Sequence, residues 1–336
     1  MCIMQDSIIK AIQSLDKEKI KKILLYKNEL QNELFKTARK VRLSGVFTNK
    51  AELRSVVELS NICNQKCLYC SMGHNKNNLY TLSDDKIISI IENLVLSGRR
   101  TFLLQSGENK NQKFIDTIAN CCKKAVEICS DIKIILCMGN LEKEQYIQLK
   151  EAGASRYILK FETSNAELHK YCRPLDTLEN RLNCINNLID IGYKVGSGNI
   201  IGLPGQTLDD MVDDLVLINK LKLDMVSATK FIPNKFSKFS NCKMGDIDIT
   251  LNFLAILRIL KPNCLIPATS SLSIEDKCGQ LNGLNAGCNT LTIHDGTPEK
   301  FKKSYQIYSE NRFSPEEKYC TDIALKAGLI PMQSLL

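Results

Sequence analysis

A parallel (β/α)8 barrel of the TIM type is the fold this sequence predicts, with an N-terminal helical cap and a short C-terminal helical tail. Three observations lead there. Between about residues 52 and 294, short apolar runs alternate with amphipathic stretches of helical spacing. The alternation repeats eight times, the number that closes a parallel barrel. Gly and Pro are scattered at turns, with no linker and no low-complexity segment to divide the chain. A doubly wound open sheet is the structural alternative.

The elements follow in order. Residues 5–45 carry apolar residues at helical spacing among frequent Lys and Glu, and belong to a cap over 1–50. Strands are expected near 52–59, 101–105, 132–138, 156–162, 194–202, 224–229, 264–269 and 289–293. Helices are expected near 83–97, 111–129, 142–152, 177–191, 207–221 and 248–260. The barrel then occupies 51–295, and a tail over 296–336 has helical stretches near 298–309 and 314–327. All of 1–336 reads as a single domain.

Composition bounds the function. With 336 residues, 44% of them apolar, the chain can fill one large barrel or two ordinary domains. No run of about 18 apolar residues exists, so no membrane span is expected. Met1 to Lys10 lacks a hydrophobic core followed by a small-residue cleavage site, which argues against a signal peptide. Fifteen cysteines in such a chain point to a reducing cytoplasm rather than to disulfides. The net charge is +8, and the cap contributes through Lys17, Lys19, Lys21, Lys22, Lys36, Arg39, Lys40 and Arg42. A solvated helix face explains these better than an acidic partner, and no nucleic-acid motif accompanies them.

The chemistry centres on Cys63-Asn-Gln-Lys-Cys67-Leu-Tyr-Cys70, which follows the apolar run Leu53 to Leu59. Three thiolates from one loop leave one iron of a four-iron cubane without a cysteine, whereas ordinary ferredoxin loops supply all four. A zinc site would bring paired CxxC units or histidines at set offsets, and none follows.

Further polar motifs fall at expected strand ends, where a parallel barrel keeps its chemistry. The second strand ends in Gln105-Ser106-Gly107-Glu108. The glycine admits a ligand close to the backbone, and the carboxylate suits an ammonium group. The fourth ends in Lys160-Phe161-Glu162-Thr163-Ser164, where Glu162 suits a ribose hydroxyl or an ammonium, or caps a helix. Arg181, in Glu179-Asn180-Arg181-Leu182-Asn183-Cys184, suits a carboxylate, or a salt bridge on a helix surface. The fifth ends in Gly198-Asn199-Ile200-Ile201-Gly202-Leu203-Pro204-Gly205, where glycines allow a flat purine or a tight turn. Asp209 and Asp210 complement a helix dipole. Tyr69 precedes the last cysteine of the loop.

The full set resembles the radical S-adenosylmethionine (SAM) superfamily, in the branch holding biotin synthase, the hydrogenase maturase HydE and the methylornithine synthase PylB. The resemblance covers about 30–330 and is nearest to HydE-like sequences. Besides the stretches above it includes Arg173–Pro174, Phe231–Pro233, Ile266–Thr269 and Leu284–Asn289. It implies a [4Fe-4S] cluster on Cys63, Cys67 and Cys70. It also implies S-adenosyl-L-methionine held by Tyr69, Ser106, Gly107, Glu108, Glu162, Arg181, Ile200 and Gly202. Reduction of the cluster would cleave SAM to methionine and a 5′-deoxyadenosyl radical. HydE-like sequences usually carry Arg-His-Glu-Thr where this chain has Lys160-Phe161-Glu162-Thr163. They also carry a His and an Asp-Thr-Pro where it has Asn234-Lys235-Phe236.

Cysteines at Cys137, Cys264 and Cys288 lie on expected strands, where an auxiliary iron–sulfur cluster would draw its ligands. Packing is the alternative for each. The biotin synthase cysteine of the fifth strand is absent, with Gly196 there instead. The leading expectation is radical sulfur insertion of the biotin- or lipoyl-synthase type. HydE-like maturation, a PylB-like carbon-skeleton mutation and a non-catalytic iron–sulfur carrier are the alternatives. A small-molecule or carrier-bound substrate and an electron donor such as flavodoxin or ferredoxin are the expected partners, with neither nucleic acid nor membrane. No catalytic residue beyond the cofactor set is assigned.

Overall fold

A computed structural model describes residues 2–74, 76–307 and 313–336. The cap is three helices, α1 (Cys2–Gln13), α2 (Lys17–Leu24) and α3 (Asn28–Ser44). Asp16 starts α2 by accepting a hydrogen bond from the Lys19 N–H at 3.1 Å. The barrel follows as β1 (Lys50–Ser60), α4 (Asp84–Leu96), β2 (Thr101–Ser106), α5 (Gln112–Ile128), β3 (Lys133–Cys137), α6 (Lys143–Glu151) and β4 (Ala154–Ile158). It continues as α7 (Ala166–Cys172), α8 (Leu178–Asp190), β5 (Lys194–Ile201), α9 (Leu208–Lys220), β6 (Met225–Lys230), α10 (Ile247–Leu260), α11 (Gly279–Asn285) and β7 (Thr290–Ile293). The tail holds α12 (Glu299–Lys302), α13 (Glu317–Lys326) and β8 (Ile330–Met332).

The strands run parallel in the order β6-β5-β4-β3-β2-β1-β7, and β8 pairs with the start of β1. Side chains two apart on each strand point the same way. Val56, Leu103, Cys137 and Ile158 therefore face the lumen, while Leu53, Val57, Leu104 and Leu136 pack outward into the main core.

The expected seventh strand, 264–269, is a correction. It makes only single parallel bridges, Leu265 to Met225 and Pro267 to Thr290, which close the barrel between β6 and β7. Pro267 has no N–H to give to a ladder, and a 3₁₀ turn begins at Ser270. The fourth strand also ends earlier than expected. Glu162 lies beyond it, with a left-handed φ of +69°, and bridges Asn199 singly. The short helix α7 and the three-residue β8 were not expected. Of the helix expected over 298–309, only Glu299–Lys302 forms, and 308–309 lie outside the described residues.

The N-terminal end of the barrel is sealed by the last residues of the chain. Arg156 is fully buried and donates two hydrogen bonds to Glu52, at 2.8 and 2.9 Å, and one to the Leu336 carbonyl at 2.5 Å. Glu52 also accepts from the Leu335 N–H at 2.9 Å. Leu335 and Leu336 pack against Phe47, Met225 and Leu265. Arg156→Met should leave the Glu52 carboxylate only Arg54, at 3.6 Å and out of hydrogen-bond range, and the Leu335 N–H, and cost roughly 3 kcal/mol of stability. The triple variant Glu52→Leu/Arg54→Met/Arg156→Met, which removes the whole buried charge cluster, should recover much of that loss. Urea unfolding of the three proteins checks both.

Candidate functional site

The cysteine loop joins β1 to α4 at the C-terminal end of the barrel. It is held from below by β2. Gly107 N–H donates to the Ser60 carbonyl at 3.0 Å, and Glu108 N–H donates to Cys63 Sγ at 3.3 Å. A Cβ on Gly107 would lie 2.3 Å from the Ile62 carbonyl oxygen and 2.7 Å from Cys63 Cβ, so only glycine permits this approach. Ser106 is buried and its hydroxyl donates to the Gly107 carbonyl at 2.8 Å.

From the other side Arg173 donates to Cys67 Sγ at 3.1 Å and to the Tyr69 hydroxyl at 3.2 Å. Burial raises the Cys63, Cys67 and Cys70 thiols above their ordinary range, and Arg173 acts against this by favouring thiolate. Among the described residues no three His, Cys, Asp or Glu side chains converge to hold a single ion. A cubane takes one thiolate per iron and needs no such point. Three thiols on one loop, with a backbone N–H and a guanidinium aimed at their sulfurs, fit it.

Glu108 is the hub behind the loop. One oxygen accepts from Gln65 Nε2 at 2.6 Å and the other from Asn140 N–H at 2.9 Å. Arg173 and Arg181 each stand 3.6 Å from it. Arg181 also donates to the Lys160 carbonyl at 2.8 Å and to Asn140 Oδ1 at 2.5 Å, so it is a buried strut and not a surface salt bridge. Asp176 completes the set by accepting from Asn140 at 3.0 Å and Arg173 at 3.1 Å. Arg173, Asn140 and Asp176 were missed in the sequence. The Arg173–Pro174 pair was the available signal for the first, and nothing marked the other two.

Glu162 differs from Glu108. Its Oε2 is buried and stands 3.0 Å from Lys160 Nζ, but out of hydrogen-bonding alignment. An acceptor therefore remains at the rim of the lumen. The left-handed turn that presents it is held by Asp214, on α9. Asp214 accepts from the Ser164 N–H at 2.6 Å and from Asn199 Nδ2 at 2.7 Å. Gln206 ties the adjoining loop by donating to the Ile200 carbonyl at 2.9 Å and accepting from the Gly202 N–H at 2.7 Å. Gly202 has φ +87°, and a Cβ there would lie 2.4 Å from Gly245 Cα.

A cavity of about 340 Å³ fills the lumen beneath these groups. Tyr69, Glu162, Lys160, Lys230, Arg54 and Cys137 all line it. Arg54 is 2% exposed, and its Nε and Nη2 have no hydrogen-bond partner; its carboxylate neighbour, Glu52, is 3.6 Å away. Burial lowers its pKa to about 10.

The three auxiliary candidates are not brought together. Cys137 lies at the lumen end of β3. Cys264 and Cys288 lie at the opposite end of the barrel around Arg258, which donates to the Cys264 and Gly287 carbonyls at 2.9 and 2.8 Å. Cys264 Sγ donates to the Leu223 carbonyl at 3.1 Å. Burial pushes the Cys137 and Cys264 thiols up to about 11 and that of Cys288 to about 12, which suits packing.

Two outcomes are expected. Burial pushes Asp214 up to about 7. The folded state then keeps a proton that the unfolded chain releases near pH ~4. Stability should fall as pH rises from about 4 to 7, and Asp214→Asn should flatten that slope in thermal melts. The Cys63/Cys67/Cys70 triple Ala variant, reconstituted anaerobically, should hold no cluster iron and still show the wild-type far-ultraviolet dichroism.

Comparison with known proteins agrees with this geometry. A profile described as the Radical SAM superfamily matches residues 57–218. The [FeFe] hydrogenase maturase subunit HydE of Thermotoga maritima is 36% identical over 295 residues, 87% of this chain and 83% of that protein. The 3-methylornithine synthase of Methanosarcina acetivorans is 27% identical over 293 residues, 85% and 81% of the two chains. A biotin synthase of Clostridium botulinum is 28% identical over 300 residues, 86% and 92% of the two. The crystal structure of methylornithine synthase (PylB) superposes with a TM-score of 0.83 over 98% of this chain and 97% of that one, at 23% identity, a likeness of fold. Cysteine loop, barrel and relatives together place the chain in the radical SAM superfamily, in the branch of HydE, PylB and biotin synthase, whose members bind a [4Fe-4S] cluster and SAM.

Proposed function

We propose that this radical SAM enzyme is a HydE-like maturase, serving [FeFe]-hydrogenase assembly by acting on a small anionic substrate drawn into the lumen. The carrying observation is the lining of the cavity. It has three cationic side chains, Arg54, Lys160 and Lys230, against one carboxylate, Glu162, although each cation has a carboxylate neighbour (Glu52, Glu162 and Glu275), and among the described residues one cysteine, Cys137. A sulfur-donating cluster needs several thiols there, and Gly196 occupies the fifth-strand position with Met225 packed over it. The HydE relative supports the same direction through its identity and coverage. The sulfur-insertion expectation therefore gives way to its alternative.

In this reading Cys63, Cys67 and Cys70 ligate the cluster, and Arg173 and the Glu108 N–H steady its sulfurs. The bound cluster and SAM supply a 5′-deoxyadenosyl radical on reduction. Glu162 accepts from the ribose or ammonium of SAM, and Tyr69, Ile200 and Gly202 form the wall beside its adenine. Glu108 and Arg181 are struts, since the protein already engages them. Arg54 at the floor receives the substrate's negative charge. The Arg54 guanidinium is buried with its carboxylate neighbour Glu52 3.6 Å away, beyond hydrogen-bond range, and a carboxylate arriving there gains a charge-assisted pair in a low dielectric. Lys160 stands where HydE-like sequences have arginine, so it offers a single ammonium in place of a planar fork. The apolar wall of Val56, Leu103 and Ile158 keeps water from a reactive radical.

The reconstituted protein, reduced anaerobically with SAM, should release 5′-deoxyadenosine and should restore hydrogenase activity to a maturation extract lacking HydE. Release of 5′-deoxyadenosine without restoration would overturn the maturase reading. Arg54→Met should change thermal stability little, because Glu52, its carboxylate neighbour at 3.6 Å, stays paired with Arg156 at 2.8 and 2.9 Å. It should also lower substrate affinity by tenfold or more, an order typical of a lost charge-assisted hydrogen bond. Substrate titration and melting of the same variant separate the two effects.

A further inference from the structure

We infer that the surface made by the end of α7 and the segment 234–244 is a docking face for an acidic one-electron carrier protein. The inference rests on membership of the radical SAM superfamily and not on the maturase reading.

Position comes first. Leu68, between Cys67 and Tyr69, donates its N–H to the Cys172 carbonyl at 2.8 Å and accepts at its carbonyl from the Phe239 N–H at 3.3 Å. The end of α7 and the segment 234–244 thus touch the backbone of the cysteine loop directly. Cys242 packs on the same apolar cluster as Cys67, Leu68 and Tyr69. Phe239 bridges outward to Tyr171, with ring centroids 5.7 Å apart. Electron transfer weakens steeply with distance, so a donor must dock where little protein separates it from the cluster.

Chemistry comes second. Asn234 to Gly245 contains Lys235, Lys238 and Lys243 and no Asp or Glu, and all three lysines are exposed. Lys170 is exposed beside Tyr171. Among these cations stand large exposed apolar side chains, Tyr171 at 57%, Leu175 at 59% and Phe236 at 36%. Exposed Glu167 on α7 and Asp246 just past the segment are the nearby acidic groups against four lysines, and apolar anchors among a net positive charge mark a transient interface that steers its partner electrostatically. The partner that fits is a small protein acidic around its redox group. One electron would pass from its reduced cofactor to the cluster, leaving the carrier oxidised by one electron and the cluster reduced by one, with no bond made or broken.

The test uses reconstituted enzyme and a reduced acidic flavodoxin as the probe. Stopped-flow spectroscopy follows cluster reduction at low and at about 0.15 M salt. The wild-type rate should fall with salt. Lys235→Glu/Lys238→Glu should slow reduction at low salt by about tenfold or more. Reduction by dithionite and affinity for SAM should stay unchanged. Lys36→Glu/Lys40→Glu, which reverses exposed charge on α3, should leave the rate unchanged. Tyr171→Ser provides a second variant if the double reversal does not fold, and should weaken flavodoxin binding in a titration. An unchanged rate in the folded face variants would overturn the assignment. So would a self-associated protein in sedimentation that buries this face, or a single-stranded oligonucleotide that binds it more tightly than flavodoxin.

Discussion

The candidate site depends on one buried carboxylate. Glu108 joins the cysteine loop through Gln65, the β3 loop through Asn140, the end of α7 through Arg173 and α8 through Arg181. Each of these groups would be expensive to bury alone, and together they satisfy one another. Two guanidiniums in a low dielectric need an anion between them, and the anion needs its donors. The result is a rigid frame built from loops, the least rigid elements of a barrel. The frame leaves other groups with bonding capacity to spare: Cys67 Sγ toward a metal, Glu162 Oε2 beside Lys160 at the lumen rim and Arg54 beside Glu52 at its floor. Ligating and binding groups held by a bonded network of buried charges form the arrangement that keeps reactive chemistry in place.

Much of this was legible in the sequence, for identifiable reasons. The spacing Cys63, Cys67, Cys70 is local, so the chain itself states it. The barrel was legible because each strand–helix unit carries its own hydrophobic period, and the helices 83–97, 111–129 and 207–221 formed within a residue or two of expectation. Failures came where tertiary context outweighs local pattern. The 264–269 stretch is as apolar as any strand, yet Pro267 denies it a ladder. The 156–162 run looked like one strand, but the turn at Glu162 is set by Asp214, some fifty residues on. Arg181 is expected from the sequence to meet a carboxylate or a surface salt bridge, and its engagement with the Lys160 carbonyl and Asn140 was not legible because both partners belong to other elements.

The cysteines teach the same lesson in reverse. Three of them on barrel strands suggested a second cluster, but a strand position gives only a direction, not a depth. Cys264 and Cys288 sit at the end of the barrel where strands begin, and Cys137 where one ends. Thiols so far apart along the barrel axis serve as small apolar residues.

The sealed end of the barrel has a kinetic meaning. Glu52, Arg156 and the Leu335–Leu336 pair close the lumen at one end, so among the described residues its mouth lies at the other. Held by Glu162 and Tyr69 as proposed, SAM would be placed at the mouth end of the lumen. A substrate destined for Arg54 must then descend before SAM arrives, and its product waits until the cofactor's fragments have left. Turnover becomes a compulsory sequence of arrivals and departures, imposed by a stopper at the bottom of the well and not by any group that does chemistry.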